Sequence, residues 1–264
     1  ESICKWFSRK HGFTESAGGI AASGGTLSNL NALVAARNYA GLESDNNAVF
    51  LTSDDAHSSF LKCSRIMGLG KNNLINVKTD NKGCMDIVEL KNIIDKCNKK
   101  GKKVFCVVAT LGTTVRGAID PIEKISRICK ERNIWLHIDG SIGGIFAITN
   151  IPINGISNLN FANSITINPQ KILGITKTSS LLIVSDIEVL KNTFVTGLPY
   201  ISSDRDVLNR GELGVQGSRP AEIIKLWLGL RFLGMQGIEN ILLSSIERRK
   251  FFENNINSEI FDLF

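Results

Sequence analysis

Two kinds of hydrophobic pattern alternate along this chain. Short apolar runs rich in β-branched residues are typical of buried strands, and longer segments with apolar residues every three or four positions are typical of amphipathic helices. The pattern predicts strands over residues 48–52, 74–77, 104–109, 134–138, 164–167 and 180–184. It predicts helices over residues 28–39, 57–67, 86–99, 121–132 and 221–233.

This alternation predicts an α/β fold in which helices sandwich a mostly parallel sheet, because successive parallel strands are joined by right-handed helical crossovers. Asp120 before Pro121, and Asp86 three residues before Glu89, are expected to start two of the helices. In an open sheet of this kind ligands bind beyond the carboxyl ends of the strands. The residues that follow each strand are therefore the first candidates for function.

Composition favours a globular protein, and the charge pattern argues against nucleic-acid binding. The chain has 264 residues, of which 43% are hydrophobic, and this is enough for a large core. Its net charge of +6 comes from dispersed lysines. The densest cluster reads as a solvated turn between a helix and a strand, with only Phe105 as an aromatic neighbour; it contains Lys99, Lys100, Lys102 and Lys103.

Cysteine usage and the chain ends place further limits on the protein. None of the six cysteines forms a CxxC pair, which predicts reduced core thiols, a cytoplasmic protein and no metal site. There is no signal peptide and no apolar run of about 20 residues, so no membrane partner is expected. Both ends, Glu1 and Phe264, look cut, and we expect a fragment.

Polar residues follow the predicted strands where an apolar core would require hydrophobic ones. Ser23-Gly24-Gly25-Thr26 precedes a helix, whose free N–H groups, dipole and Thr26 hydroxyl could hold a phosphate. An ordinary glycine turn is the alternative. His57 begins another helix, where it could stack on a cofactor or belong to a capping network.

An acid and an amine complete the set of candidate residues. Trp135, His137 and Asp139 share one face of a strand, with Asp139 at its carboxyl end. A carboxylate there could pair with a protonated pyridine nitrogen, or it could cap a helix. The Lys171 amine is expected in a partly apolar space, where desolvation lowers a lysine pKa and favours an imine; a surface lysine is the alternative.

These motifs, taken in order, resemble the group II pyridoxal-phosphate-dependent amino-acid decarboxylases over almost the whole chain. The resemblance implies an aspartate-aminotransferase-like (fold type I) large domain over residues 1–236 and the start of a small domain over 237–264, both truncated. It also implies pyridoxal 5′-phosphate as cofactor, an amino acid as substrate and a homodimer with active sites at the interface. The motifs that carry it are residues 23–29, 56–59, 109–114, 135–139, 168–171, 217–219 and 225–227.

The same resemblance implies a role for each site residue. Lys171 would carry the cofactor as a Schiff base, and the substrate would lose its carboxylate as CO2 to leave an amine. The other implied roles are phosphate contact for Gly25, Thr26 and Asn168, stacking for His57, the ring-nitrogen partner for Asp139, and a place beside the ring for Thr114 and Ser141.

Two departures from the family pattern leave the reaction open. The family usually has histidine before the lysine, whereas this chain has Gln170, which cannot act as an acid or base at neutral pH. Its mobile loop normally carries a tyrosine, but residues 206–212 contain none and the nearest is Tyr200. Aldehyde-forming, aminotransferase or lyase chemistry and a non-catalytic relative are the alternatives. Arg116 and Arg219 could bind a second substrate carboxylate.

Overall fold

The computed structural model describes residues 2–153, 155–156, 159–177, 179–197, 210–257 and 260. Seven strands form one mixed sheet. The strands are β1 (Gly18–Ala22), β2 (Ala48–Ser53), β3 (Leu74–Val77), β4 (Lys103–Thr110), β5 (Trp135–Gly140), β6 (Ser164–Ile167) and β7 (Ser180–Val184). The α-helices are α1 (Ile3–Lys10), α2 (Gly25–Tyr39), α3 (Ser59–Ile66), α4 (Ile87–Lys99), α5 (Ile122–Glu131), α6 (Ile187–Phe194) and α7 (Ile223–Asn255).

The strands follow one another across the sheet in the order β1-β7-β6-β5-β4-β2-β3. The five strands from β6 to β3 are parallel, which confirms the α/β prediction. Strands β7 and β1 are antiparallel to their neighbours, so the sheet is mostly parallel, as predicted, with an antiparallel edge. The reason is the connection: the described residues between β6 and β7 form a 3-10 turn but no α-helix that could carry the chain back for a parallel crossover.

Helices cover both faces of the sheet, and each face packs a separate apolar core. On one face, side chains of α2 and α3 pack against alternate sheet residues such as Phe50 and Val108. On the other face, α1, α4, α5 and α7 pack against the intervening residues, including Val107 and Ile138. The sequence predicts that Trp135, His137 and Asp139 share one face of a strand, because side chains alternate along it. In the structure all three lie on β5 and point to the face of the sheet that α2 covers.

The two predicted helix starts have different outcomes. The Asp86 carboxylate caps α4 by accepting hydrogen bonds from the N–H groups of Val88 at 2.7 Å and Glu89 at 2.9 Å. Asp120 does not cap α5, so that prediction is wrong. Its carboxylate instead accepts from the Met85 N–H and the Thr110 N–H, both at 2.7 Å, because the side chain turns inward between β4 and the start of α4. Burial raises the pKa of Asp120 to about 6.

Three elements escaped prediction and one was predicted too short. Helices α1 and α6 have eight residues each, and β1 is a short glycine-containing segment, so each offers too little pattern to read. Helix α7 extends well beyond residue 233 and is interrupted at Gly234, where φ is 60°. This break lies next to the predicted domain boundary after residue 236, which itself stays a prediction.

Other surface and core predictions concern the lysines and cysteines. The lysine cluster forms the exposed turn between α4 and β4, as expected. All six cysteines are free, and Cys84 is the one that is only partly buried. Among the helices in the described part of the chain, none combines the length and the apolar character needed to cross a membrane.

Candidate active site

The polar segments singled out in the sequence meet at one edge of the sheet. Strands β2, β4, β5 and β6 are parallel, so their carboxyl ends lie at the same edge. The residues that follow these strands include His57, Thr114, Ser141 and Asn168. The fold therefore places the predicted site where open α/β sheets bind their ligands.

A small polar cradle lies at the amino end of α2. Gly24 precedes the helix with φ of 150°, a conformation that suits glycine, and no side chain caps the helix. A Cβ atom built on Gly25 would lie 2.6 Å from Asn168 Nδ2 and 3.1 Å from Ser141 Oγ. Glycine at this position thus keeps open a space lined by an amide, a hydroxyl and the first N–H groups of a helix. Such a space suits an anion.

The Asn168 side chain is held in a defined orientation. Its Oδ1 accepts a hydrogen bond of 2.5 Å from the Ser180 hydroxyl, and Ser180 Oγ lies 2.8 Å from Ser28 Oγ. Because the oxygen of the amide is occupied, its NH₂ group faces Gly25 and the cradle. Ser180 and Ser28 were not singled out from the sequence as site residues.

Asp139 is buried beside this cradle, near the carboxyl end of β5. The Ser141 N–H donates to its Oδ1 at 3.1 Å, and the Asn29 amide donates to its Oδ2 at 3.1 Å. The next helical turn, Gly143–Ile148, has no side-chain cap, so Asp139 is not a helix cap. Each carboxylate oxygen accepts one of these hydrogen bonds and retains lone pairs for a further donor.

His137 lies below Asp139 on the same face of β5 and is fully buried. Its Nδ1 is 2.8 Å from Ser164 Oγ, and its Nε2 is 3.1 Å from Asn29 Oδ1. Burial lowers the pKa of His137 to about 4, against the opposing effect of Asp139. The sequence assigned no role to His137 or Asn29, although alternation with Asp139 and the motif over residues 23–29 contained the signal.

Four other predicted residues lie at the same edge but are exposed. His57 Nδ1 accepts a hydrogen bond of 3.1 Å from the Ser59 N–H, which is the capping contact considered as its alternative role. His57 and Thr114 line a cleft of about 380 Å³. Thr26 is exposed at the start of α2.

Lys171 ends the 3-10 turn Pro169–Lys171, and its N–H donates to Asn168 O at 3.0 Å. Its side chain is exposed, so the expectation of a partly apolar space is wrong for the described chain. Lys171 lies at the end of the 3-10 turn that follows β6, where Pro169 and Leu173 are buried and the lysine side chain is exposed between them.

The residues that depart from the family pattern, and the two arginines considered for a second substrate carboxylate, were also located in the structure where they are described. Gln170 Oε1 accepts a hydrogen bond from the Ser179 N–H. Arg116 lies 3.5 Å from Asp55 in an ion pair. Arg219 donates to the Ala21 and Gln216 carbonyl groups and so ties its loop to β1. Tyr200 and residues 206–209 of the tyrosine-free loop lie outside the described residues.

A family model described as the pyridoxal-dependent decarboxylase conserved domain matches residues 2–263 of the chain. The chain belongs to this family. The matched range includes the cradle, Asp139 and Lys171, and the match confirms the resemblance to the decarboxylase family that is seen in the sequence motifs.

The names of two relatives of this decarboxylase domain indicate different substrates. The chain is 32% identical over 235 residues to the aromatic-L-amino-acid decarboxylase of Bacillus atrophaeus, covering 87% of the chain and 49% of the relative. It is 34% identical over 258 residues to the acidic amino acid decarboxylase GADL1 of Xenopus tropicalis, covering 89% and 50%. The chain thus spans about half the length of the curated relatives it matches.

Solved structures show the same fold. The crystal structure of mouse CSAD matches with a TM-score of 0.87 and 27% identity, over 97% of this chain and 56% of the mouse chain. This agreement covers almost the whole chain, so the predicted α/β, aspartate-aminotransferase-like fold is confirmed.

Pyridoxal 5′-phosphate is the cofactor of this decarboxylase family, and the residues of this chain fit it on two observations. The open space at Gly25 is one that a Cβ atom would fill, and it is lined by N–H and O–H donors suited to a phosphate. Asp139 is a buried carboxylate in the neighbouring strand end, suited to a protonated ring nitrogen.

Proposed function

We propose that the full-length protein decarboxylates an L-amino acid to an amine and CO2, with pyridoxal 5′-phosphate as cofactor. Membership of the decarboxylase family supports the reaction class. The observation that carries the proposal is the Asp139 carboxylate, which is 4% exposed and accepts one N–H donor on each oxygen. A carboxylate held in this way beside an anion cradle suits a cofactor that has a cationic ring at one end and a phosphate at the other.

The proposed roles follow from position. Asn168 Nδ2 and the first N–H groups of α2 bind the phosphate at Gly25, with Thr26 beside them. Asp139 holds the ring nitrogen, and Lys171 at the end of the neighbouring strand carries the cofactor covalently. When bound, the cofactor supplies an electron sink for the electron pair left by the departing carboxylate. The proposed ring contacts are His57, Thr114 and Ser141.

Exposure of several of these residues supports a homodimer with active sites at the interface. Lys171, His57, Thr114 and Thr26 are all exposed in the single chain, whereas a lysine suited to forming an imine has to be desolvated. A partner subunit that covers this edge of the sheet would exclude water from it. The six free cysteines support a cytoplasmic location.

The substrate class is left open by these residues. The two relatives named above act on aromatic and acidic amino acids respectively, so family membership alone does not choose between them. Both arginines considered for a second carboxylate contact groups of the protein itself, since Arg116 pairs with Asp55 and Arg219 binds main-chain carbonyls. We therefore propose an amino-acid substrate without a further restriction.

Gln170 favours a second candidate, in which the same site forms an aldehyde. A histidine at this position could exchange protons at neutral pH, but a glutamine amide cannot, and its Oε1 is already engaged by the Ser179 N–H. Slower protonation of the reacting carbon would leave more time for attack by molecular oxygen. Oxidation by O2 followed by hydrolysis with one water molecule would convert the amino acid to an aldehyde, ammonia, CO2 and hydrogen peroxide. The two candidates differ in their products.

One experiment tests both candidates. We would load the full-length protein with cofactor, record its visible absorption, add a panel of amino acids, and measure CO2, amine, aldehyde and hydrogen peroxide. The Lys171→Ala variant should lose the visible band and turnover, while Lys177→Ala, a matched change at another exposed lysine, should keep both. Amine without peroxide would establish the decarboxylase, and aldehyde with peroxide the second candidate. A normal band and turnover in Lys171→Ala would contradict both.

A further inference from the structure

A continuous chain of buried hydrogen bonds runs from β5 through β6 and α2 to Asp139. Trp135 Nε1 donates to Ser164 Oγ at 2.8 Å, and Ser164 Oγ is 2.8 Å from His137 Nδ1. His137 Nε2 is 3.1 Å from Asn29 Oδ1, and Asn29 Nδ2 donates to Asp139 Oδ2 at 3.1 Å. Each of the five residues is at most 4% exposed, so water does not compete for these bonds.

The two ends of this chain fix the direction of every bond in it. An indole N–H can only donate, and a carboxylate can only accept. Asn29 must therefore present its NH₂ to Asp139 and its carbonyl oxygen to His137. That carbonyl oxygen requires a proton on His137 Nε2, which leaves Nδ1 as an acceptor for the Ser164 hydroxyl.

The neutral form of His137 agrees with this direction. Burial lowers the pKa of His137 to about 4, so the ring carries one proton at neutral pH and has one donor and one acceptor nitrogen. The hydrogen-bond chain requires one donor and one acceptor at His137. Asn29 also donates to Ser59 Oγ at 3.2 Å, which fixes the plane of its amide from a second side.

We propose that Asn29 is a positioning residue, which aims the Asp139 carboxylate at the cofactor ring through a one-directional hydrogen-bond chain that selects the Nε2–H tautomer of His137. The proposal rests on the proposed function in one respect, namely that Asp139 is the partner of the ring nitrogen. Asn29 itself need not touch the cofactor. It holds Oδ2 of Asp139 while the Ser141 N–H holds Oδ1, so the carboxylate cannot rotate.

The variant that tests this role is Asn29→Ala, and Asn31→Ala in the same helix is a matched control. Asn31 is a second asparagine of α2, equally buried at 1% exposure, but it bonds to Leu27 O and Val215 N. Loss of either asparagine should lower the melting temperature. Only Asn29→Ala should lower kcat, by about 10- to 150-fold with little change in KM, because it alone removes a hydrogen bond from the Asp139 carboxylate.

A second readout needs no cofactor. Long-range ¹H–¹⁵N spectra of the imidazole rings in the cofactor-free full-length protein report the tautomer of His137. We expect the Nε2–H tautomer in the wild type and in Ser164→Ala, since the Asn29 carbonyl selects it in both. The Ser164→Ala variant also keeps this test available if Asn29→Ala does not fold.

The outcomes separate failure of this inference from failure of the proposed function. The Nδ1–H tautomer in the wild type or in Ser164→Ala would overturn the inference, whether or not the protein binds cofactor. Unchanged kcat in a folded Asn29→Ala would also overturn it. A wild type without a visible cofactor band would instead overturn the proposed function, and the tautomer would still decide the direction of the chain.

Discussion

Replacing Gly25 with alanine tests the phosphate cradle by adding a single methyl group. The new Cβ would lie 2.6 Å from Asn168 Nδ2 and 3.1 Å from Ser141 Oγ, closer than a carbon atom can approach without displacement. Asn168 cannot turn aside freely, because its Oδ1 accepts a 2.5 Å hydrogen bond from Ser180. The methyl group therefore takes the space that we assign to a phosphate oxygen.

The size of the effect follows from the bond that is lost. A hydrogen bond to a charged group contributes about 1.5–3 kcal/mol, so displacing the Asn168 donor should weaken cofactor binding by about 10- to 150-fold. The fold should change less. Overpacking costs about 1–3 kcal/mol, and alanine recovers roughly 1 kcal/mol over glycine in a helix, so the free energy of unfolding should fall by at most about 2 kcal/mol.

The assay is a cofactor titration of the full-length protein followed by visible absorption, with the melting temperature of the cofactor-free protein measured alongside. Gly70→Ala is the matched control, because its added Cβ would meet only Asn73 Oδ1 at an ordinary 3.7 Å. An unchanged cofactor Kd in a folded Gly25→Ala protein would refute the assignment of the cradle.

Two further predictions concern stability. Burial raises the pKa of Asp120 from 3.8 to about 6. The contribution of this carboxyl group to the free energy of unfolding is therefore largest below pH 3.8 and is lost as the pH rises through about 6. Asp120→Asn should remove this part of the pH dependence of the melting temperature, and an identical profile would count against it. Asp86→Ala removes the cap of α4, with its bonds to Val88 and Glu89, and should lower the free energy of unfolding by about 1 kcal/mol in urea denaturation; no change would show that the cap does not contribute.

Much of the fold could be predicted from the sequence, because buried parallel strands and amphipathic helices leave strong local patterns. Strands β3, β6 and β7 have the predicted bounds, and β2, β4 and β5 differ by one or two residues at their ends. The antiparallel edge could not be predicted in this way, since strand direction depends on the connection between strands rather than on the strand residues themselves.

The candidate site could likewise be predicted only where its residues carry local sequence signals. Gly25 could be singled out because it lies in a glycine turn before a helix, and Asp139 and Asn168 because they lie at the ends of predicted strands. Ser141 was implied by the family resemblance. The hydrogen-bond chain through Asn29 could not, because it joins residues about 110 positions apart, and only the packed sheet shows that they meet. Lys171 was placed on the right edge but in the wrong environment, since solvent exposure depends on what covers a turn.

The cradle is built from segments of the chain that are synthesised at different times. A ribosome that has released the chain only as far as β5 has already supplied the glycine turn and Asp139, but neither Asn168 nor Ser180. The amino end of α2 thus waits for more than a hundred residues of later synthesis before its amide partner arrives. On the proposed roles, the cofactor site is complete only after the last strands of the sheet have been synthesised, and a ligand that binds only the finished edge favours completed chains over stalled or cleaved ones.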